Sequence, residues 1–104
     1  MRRRPASRLR YFEAANREYQ DHLDRYADLS PGAASAFAAA IKAAESLVLA
    51  NPEGFGKLSG VSDVRAVVVP RFPFRLLYLV RGADVIIVAV AHTSRAIERF
   101  IDRT

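Results

Sequence analysis

The chain has 104 residues, enough for one domain with a single modest core. It contains no cysteine, which excludes disulfide frameworks and thiolate metal sites, and its two histidines, His22 and His92, make no metal-ligand spacing. The net charge of +5 is unevenly spread: residues 1–12 hold five arginines and no acid, residues 13–63 four basic and eight acidic groups, and residues 64–104 seven arginines and three acids. An acidic middle and a basic end suggest a surface that meets an anion, either nucleic acid or an acidic protein segment. The plainer alternative is an arginine-rich coding bias and a solvated surface, since fourteen of the sixteen basic residues are arginine. No run reaches the roughly 20 apolar residues of a membrane span. The basic start is not followed by an apolar signal core, because Arg8 and Arg10 interrupt it, so a cytoplasmic protein is expected.

Residues 1–6 read as a basic flexible tail and residues 7–104 as one domain. Ser7 to Phe12 alternates, with Leu9 and Tyr11 on one side and Arg8 and Arg10 on the other, as a short strand does. Glu13 to Tyr26 places Ala15, Tyr19, Leu23 and Tyr26 at helical spacing, with Glu18, Asp21, Asp24 and Arg25 outside, and Ala27 to Leu29 as a short connection. Ser30-Pro31 is a helix start: serine caps free N–H groups and proline suits the first helical position. This second helix runs to about Ala50 with Phe37, Ile41, Ala44, Leu47 and Val48 as its apolar stripe, and Asn51-Pro52 ends it. Two helices joined so closely form an antiparallel hairpin.

Pro52 to Asp63, with three glycines, reads as a loop. Val64 to Val69 is a strand, and Phe74 to Arg81 is the next. The latter carries Phe74, Leu76, Tyr78 and Val80 on one face and Arg75, Leu77, Leu79 and Arg81 on the other. After a tight turn at Gly82-Ala83-Asp84, Val85 to Ala91 is apolar throughout, as a central strand is. Ser94 is expected to cap a short final helix bearing Ile97, Phe100 and Ile101. The predicted class is α+β: a helical hairpin on a small, mainly antiparallel twisted sheet in the order β-α-α-β-β-β, with a short C-terminal helix.

No phosphate-binding glycine loop, paired carboxylates or Ser/His/Asp arrangement is present. Arginine within apolar strands is expensive to bury unpaired, so one sheet face is expected to be exposed or to meet an anionic partner. Several guanidinium groups on one face can stabilise a phosphorane, with His92 or Tyr78 as proton carrier. Arg75 and Arg81, however, are six residues apart on one strand, ~20 Å at the strand rise, so Arg75 would need Arg65 or Arg95 beside it. Tyr78 alternates with core residues and reads as core itself. His92 ends a buried strand and reads either as a structural histidine or as a general base, and His22 as an exposed surface histidine.

This order of elements resembles the RelE/ParE superfamily of toxins from bacterial type II toxin–antitoxin modules. The likeness covers roughly residues 7–104. It rests on Val64-Arg65, the block Phe72-Pro73-Phe74-Arg75-Leu76-Leu77-Tyr78, and Val88-Ala89-Val90-Ala91-His92 followed by Arg95. Ser30-Pro31-Gly32 and Asn51-Pro52 at the two ends of the second helix add to it. The resemblance implies a cognate antitoxin whose flexible acidic segment folds on the toxin, no cofactor or metal, and one of two kinds of target. One branch of the superfamily cleaves mRNA in the ribosome with basic residues on the sheet face; the other poisons DNA gyrase. Arg75 stands where the cleaving branch has an arginine after an aromatic residue. The lysines of that branch fall on Ala66 and Val68 if Lys57-Leu58-Ser59-Gly60 is aligned with the similar segment there. Alanine and valine cannot neutralise a phosphorane, and the stretch from Ala66 to Val69 has no basic group. The ParE-like branch is therefore expected, with a ribosome-dependent endonuclease and a non-toxic binding module as alternatives. Candidate catalytic residues are Arg65, Arg75, His92 and Arg95; candidate partner-binding residues are Arg75, Arg81, Arg95 and Arg99.

Overall fold

The computed structural model describes residues 6, 8–58 and 62–104. Its elements are β1 (Arg8–Tyr11), α1 (Glu13–Leu29), α2 (Pro31–Ala50), β2 (Arg65–Val68), β3 (Phe74–Arg81), β4 (Asp84–His92) and α3 (Glu98–Ile101). The four strands form one sheet in the order β1-β4-β3-β2. β1 runs parallel to β4, and the other two pairings are antiparallel. The α+β class, the hairpin and the mainly antiparallel sheet are those the sequence pattern implies; the parallel pairing of β1 with β4 is added by the structure. The tail expected over residues 1–6 lies outside the described residues except for Ala6, whose N–H bonds the Leu49 carbonyl at 2.8 Å.

The helical hairpin is tighter than its sequence suggests. Ala27 to Leu29 continues α1 instead of leaving it, because nothing in that stretch stops a helix until Ser30. Ser30 alone makes the corner in an extended conformation, its Oγ accepting from Ala33 N–H at 3.0 Å with Pro31 at the first helical position. By length and composition α2 could span a membrane, which the sequence reading above discounts. One face of it is buried: Phe37, Ile41, Ala44 and Val48 pack against α1 and the sheet.

The sheet is covered on both faces. On the hairpin side, Phe37 gathers Tyr19, Tyr26, Phe72 and Phe74 at ring-centroid distances of 5.0–5.8 Å, and Leu76, Tyr78, Val85 and Ile87 complete the core. Tyr78 is fully buried and donates its hydroxyl to Pro52 O at 2.7 Å; burial pushes that hydroxyl up to about 12, with Arg65 opposing. The outer face holds Val64, Leu77, Leu79, Val88, Ala89 and Ala91 under Phe100 and Ile101. The expected open sheet face is thus closed over most of its area, because an apolar outer face of this size needs a cover. Val68, at 62% exposure, marks the part left open.

β3 and β4 join through the two-residue turn Gly82-Ala83, where Gly82 takes φ +60°, the conformation a II′ hairpin asks of its first turn residue. Their register shifts once: Leu77 faces Ala89 while Tyr78 faces Ile87, which leaves Val88 as an extra residue on β4. The short C-terminal helix is where the sequence places it, but its cap departs from expectation. It spans only Glu98–Ile101 and has no side-chain cap; Ser94 lies before it, hydrogen-bonded to His92. A serine two residues past a histidine finds the ring nitrogen closer than any helix N–H.

Candidate functional site

β1 accompanies β4 only from Asp84 to Ile87. Beyond that point the β1-side edge of β4 has no strand beside it among the described residues, and buried backbone groups there need other partners. Side chains supply them. Glu18 Oε1 accepts from Val90 N–H at 3.1 Å, His22 Nε2 donates to Val90 O at 3.3 Å, and Arg103 Nη1 donates to Val88 O at 3.0 Å, at the bulge. Arg103 also grips Glu18 with both nitrogens, at 3.1 and 2.6 Å. Its guanidinium lies 4.9 Å from the centre of the Phe100 ring.

A cavity of about 430 Å³ opens over this edge, between α1, the end of β4 and the C-terminal segment. α1 contributes Glu18, His22 and Arg25, spaced four and three residues apart on one helix face. His92, Arg95, Arg99 and Arg103 close the other side. Glu18 and Arg103 neutralise each other, whereas the guanidinium groups of Arg25, Arg95 and Arg99 have no hydrogen bond or ion pair among the described residues. Three such guanidinium groups around one concavity make it cationic.

Both histidines of the chain line this cavity, on the rim of the Phe74 ring, with centroids 4.4 Å away for His22 and 5.3 Å for His92. A carbonyl can only accept, so His22 carries its proton on Nε2. Burial, with Arg25 adding to it, lowers its proton affinity, partly offset by the Val90 carbonyl and by Glu18 and Asp21. His92 Nδ1 accepts from the Ser94 N–H at 3.1 Å, which places the proton on Nε2. The expectation that His22 is an exposed surface histidine is corrected: it is half-buried and bonds across to β4. The signal was present in the 18–22–25 spacing, hidden because all three side chains are polar and fall outside the apolar stripe.

The other predicted residues lie elsewhere. Arg65 Nη1 donates to Phe55 O at 2.6 Å and Glu53 O at 3.3 Å, tying the loop after α2 to β2. Arg81 and Arg65 line a second cavity of about 340 Å³ at the opposite end of β3, with Glu53, Lys57 and Asp63 among its walls. Arg75 pairs with Val68 and Ala91 on the outer face, its Nε buried and without a hydrogen bond among the described residues. Of the four candidate catalytic residues, only His92 and Arg95 come together. Arg65 cannot help Arg75, because Arg65 faces Tyr78 on the hairpin side while Arg75 points outward. Of the candidate partner-binding residues, Arg95 and Arg99 share the cationic cavity. Among the described residues no three His, Asp or Glu side chains converge to hold a metal.

A family model described as ParE toxin of type II toxin-antitoxin system, parDE, matches residues 9–97. Among solved structures, a chain of the chromosomal ParDE TA system from P. aeruginosa superposes with a TM-score of 0.67 at 23% identity, covering 81% of this chain and 92% of that one, a likeness of fold. No curated protein matches. The family match stops short of Arg99, Phe100 and Arg103, so the C-terminal wall of the cavity lies outside it. Because the match runs from within β1 through both long helices and the other three strands, the chain belongs to the ParE toxin family of type II toxin–antitoxin systems.

Proposed function

We propose that this chain is a cytoplasmic, growth-inhibiting toxin that binds its target without catalysis of its own, DNA gyrase being the target its family suggests, and that a cognate antitoxin neutralises it. The observation that carries this reading is the split of the catalytic candidates. Arg65 is held by loop carbonyls, Arg75 lies on the outer face, and His92 and Arg95 sit at the cavity. An endonuclease needs these groups on one scissile phosphate. The stretch from Ala66 to Val69 adds no cation to help.

The antitoxin is assigned to the groove between the helical hairpin and the end of the sheet, where an acidic segment meets Arg95 and Arg99. Arg75 and Arg81 extend the basic surface on the outer face and at the far end. Plasmid stabilisation follows from such a pair where the module is plasmid-borne.

The test is induction of the chain without a partner in cells whose growth it arrests, with primer extension on cellular mRNA and an assay of gyrase supercoiling. Arrest with intact message and lost supercoiling is expected, with growth restored by the protein encoded in the adjacent reading frame. Discrete cuts within translated codons would establish the endonuclease instead, and unimpeded growth a non-toxic binding module. Bound antitoxin should slow amide exchange over residues 13–50 and 85–100.

A further inference from the structure

We infer that the open edge of β2 at Val68 takes an added strand from an extended acidic peptide, held by main-chain hydrogen bonds at Val68 and by carboxylates at Arg71 and Arg75. β2 is an edge strand of the sheet. Alternate residues of a strand turn their N–H and C=O groups to opposite sides. Val69 N–H donates to Phe74 O at 2.9 Å, so Val67 and Val69 face β3, while Val64, Ala66 and Val68 face outward. Part of that outward edge is filled from within the chain. Leu58 N–H donates to Val64 O at 2.9 Å, Ala66 N–H donates to Gly56 O at 3.3 Å, and Lys57 bridges Arg65. At Val68 no backbone partner lies alongside among the described residues. A donor and an acceptor stand open there, beside a valine side chain that is 62% exposed. Such an edge is a template for another strand.

The surroundings of Val68 are basic. Arg75 pairs with it across the ladder, and Arg71 stands in the turn that leaves β2. Neither guanidinium has a hydrogen bond or ion pair among the described residues, and the Nε of Arg75 is buried without a partner. Side chains paired across a ladder share a face, so a residue opposite Val68 projects on the Arg75 side. An added strand would lie two strand spacings from β3, ~10 Å, a gap that a glutamate and an arginine side chain span between them. Two features select the occupant. A phosphate chain has no donor for the Val68 carbonyl, whereas a peptide brings a donor and an acceptor at the spacing of the edge. A second copy of this chain, paired edge to edge about Val68, would gather Arg71 and Arg75 of both copies around one axis, and like charges repel. Acidic side chains turn that repulsion into attraction.

The inference goes beyond the toxin reading: it concerns another surface than the groove at Arg95 and Arg99, and it is measured on the purified chain without reference to growth. The probe is a blocked peptide alternating glutamate and valine, titrated while amide exchange is followed residue by residue. One-to-one binding that slows exchange at Val68 is expected. N-methylation of alternate peptide residues should weaken binding about tenfold in one frame and little in the other, because only one set of amides faces β2. Val68→Pro, which removes an outward N–H and no ladder bond, and Arg75→Ala should each weaken binding about tenfold. Arg71→Gly should weaken it about threefold, the scale of an exposed ion pair, and Arg99→Ala should leave it unchanged. Circular dichroism would verify the fold of each variant. The assignment is overturned if both methylated frames bind like the parent peptide, or if Arg99→Ala costs as much as Arg75→Ala. It is overturned equally if a ten-nucleotide single strand displaces the peptide and itself slows exchange at Val68, or if the chain alone protects Val68 as its concentration rises, which would mark a second copy at the edge.

Discussion

Arg71 sits where an arginine is least comfortable. It has φ +68° in the turn between β2 and β3, where Pro70 precedes it and the Phe72 N–H closes on Val69 O at 3.3 Å. This is the pattern of a type II turn, whose third residue is ordinarily glycine or asparagine. Arg71→Gly relieves a left-handed backbone cost of about 1–2 kcal/mol and gives back part of it through a freer unfolded chain. A net gain of about 0.5–1 kcal/mol in the urea unfolding free energy is expected. His22 yields a pH prediction at the same scale. Its folded-state proton affinity lies below the ordinary value of 6.5, so below that pH the unfolded chain binds the proton first. Its contribution to stability is therefore complete above about 6.5 and is lost as pH falls through the lower folded value. The urea midpoint should drop between pH 7.5 and 5.5, and drop less in His22→Gln, whose amide can still donate towards Val90 O. The sequence shows Arg71 and His22 only as two polar residues, because φ and burial are imposed by neighbours far along the chain.

At the scale of elements, β4 shows how local pattern and long-range contact divide the work. Its apolar run marks a central strand, and so it is, with β3 on one side and β1 on the other. Its second half loses β1, and the gap is closed by Glu18, 72 positions before Val90, and by Arg103, 15 positions after Val88. The pair is partly exposed, with side chains at 22% and 27%, yet it also serves the backbone of two strand residues. Arg103→Ala removes two charge-assisted contacts and the donor to Val88 O. A loss of about 2 kcal/mol is expected by urea unfolding, together with faster amide exchange at Val90. Arg103→Lys should recover only part, since an ammonium cannot span both carboxylate oxygens. The second helix, with Ser30-Pro31 at its start and Asn51-Pro52 at its end, was legible because its caps are local. The short final helix was legible too, but the bulge at Val88 was not, because register depends on which side chains meet from opposite ends of the chain.

Across the whole molecule, the arginines separate into distinct places. Arg81 lies at one end of the eight-residue strand β3, sharing a cavity with Arg65 of β2, which pairs with Tyr78; His92 and Arg95 lie at the other end, about 24 Å from Arg81 at the strand rise, and Arg75 on the outer face. What the sequence alone determined is what local physics controls: the element order, the hairpin, the α+β class, the toxin family likeness and the basic character of the C-terminal end. Periodicity, capping residues and proline act over a few positions and leave their mark in the chain. Which arginines meet, which are spent on carbonyls, and that α1 delivers a histidine and an arginine to the end of β4 were decided only by the tertiary structure. Hydrogen bonds between residues seventy or more positions apart have no spacing to betray them, and a guanidinium is free or committed only in relation to what folds against it.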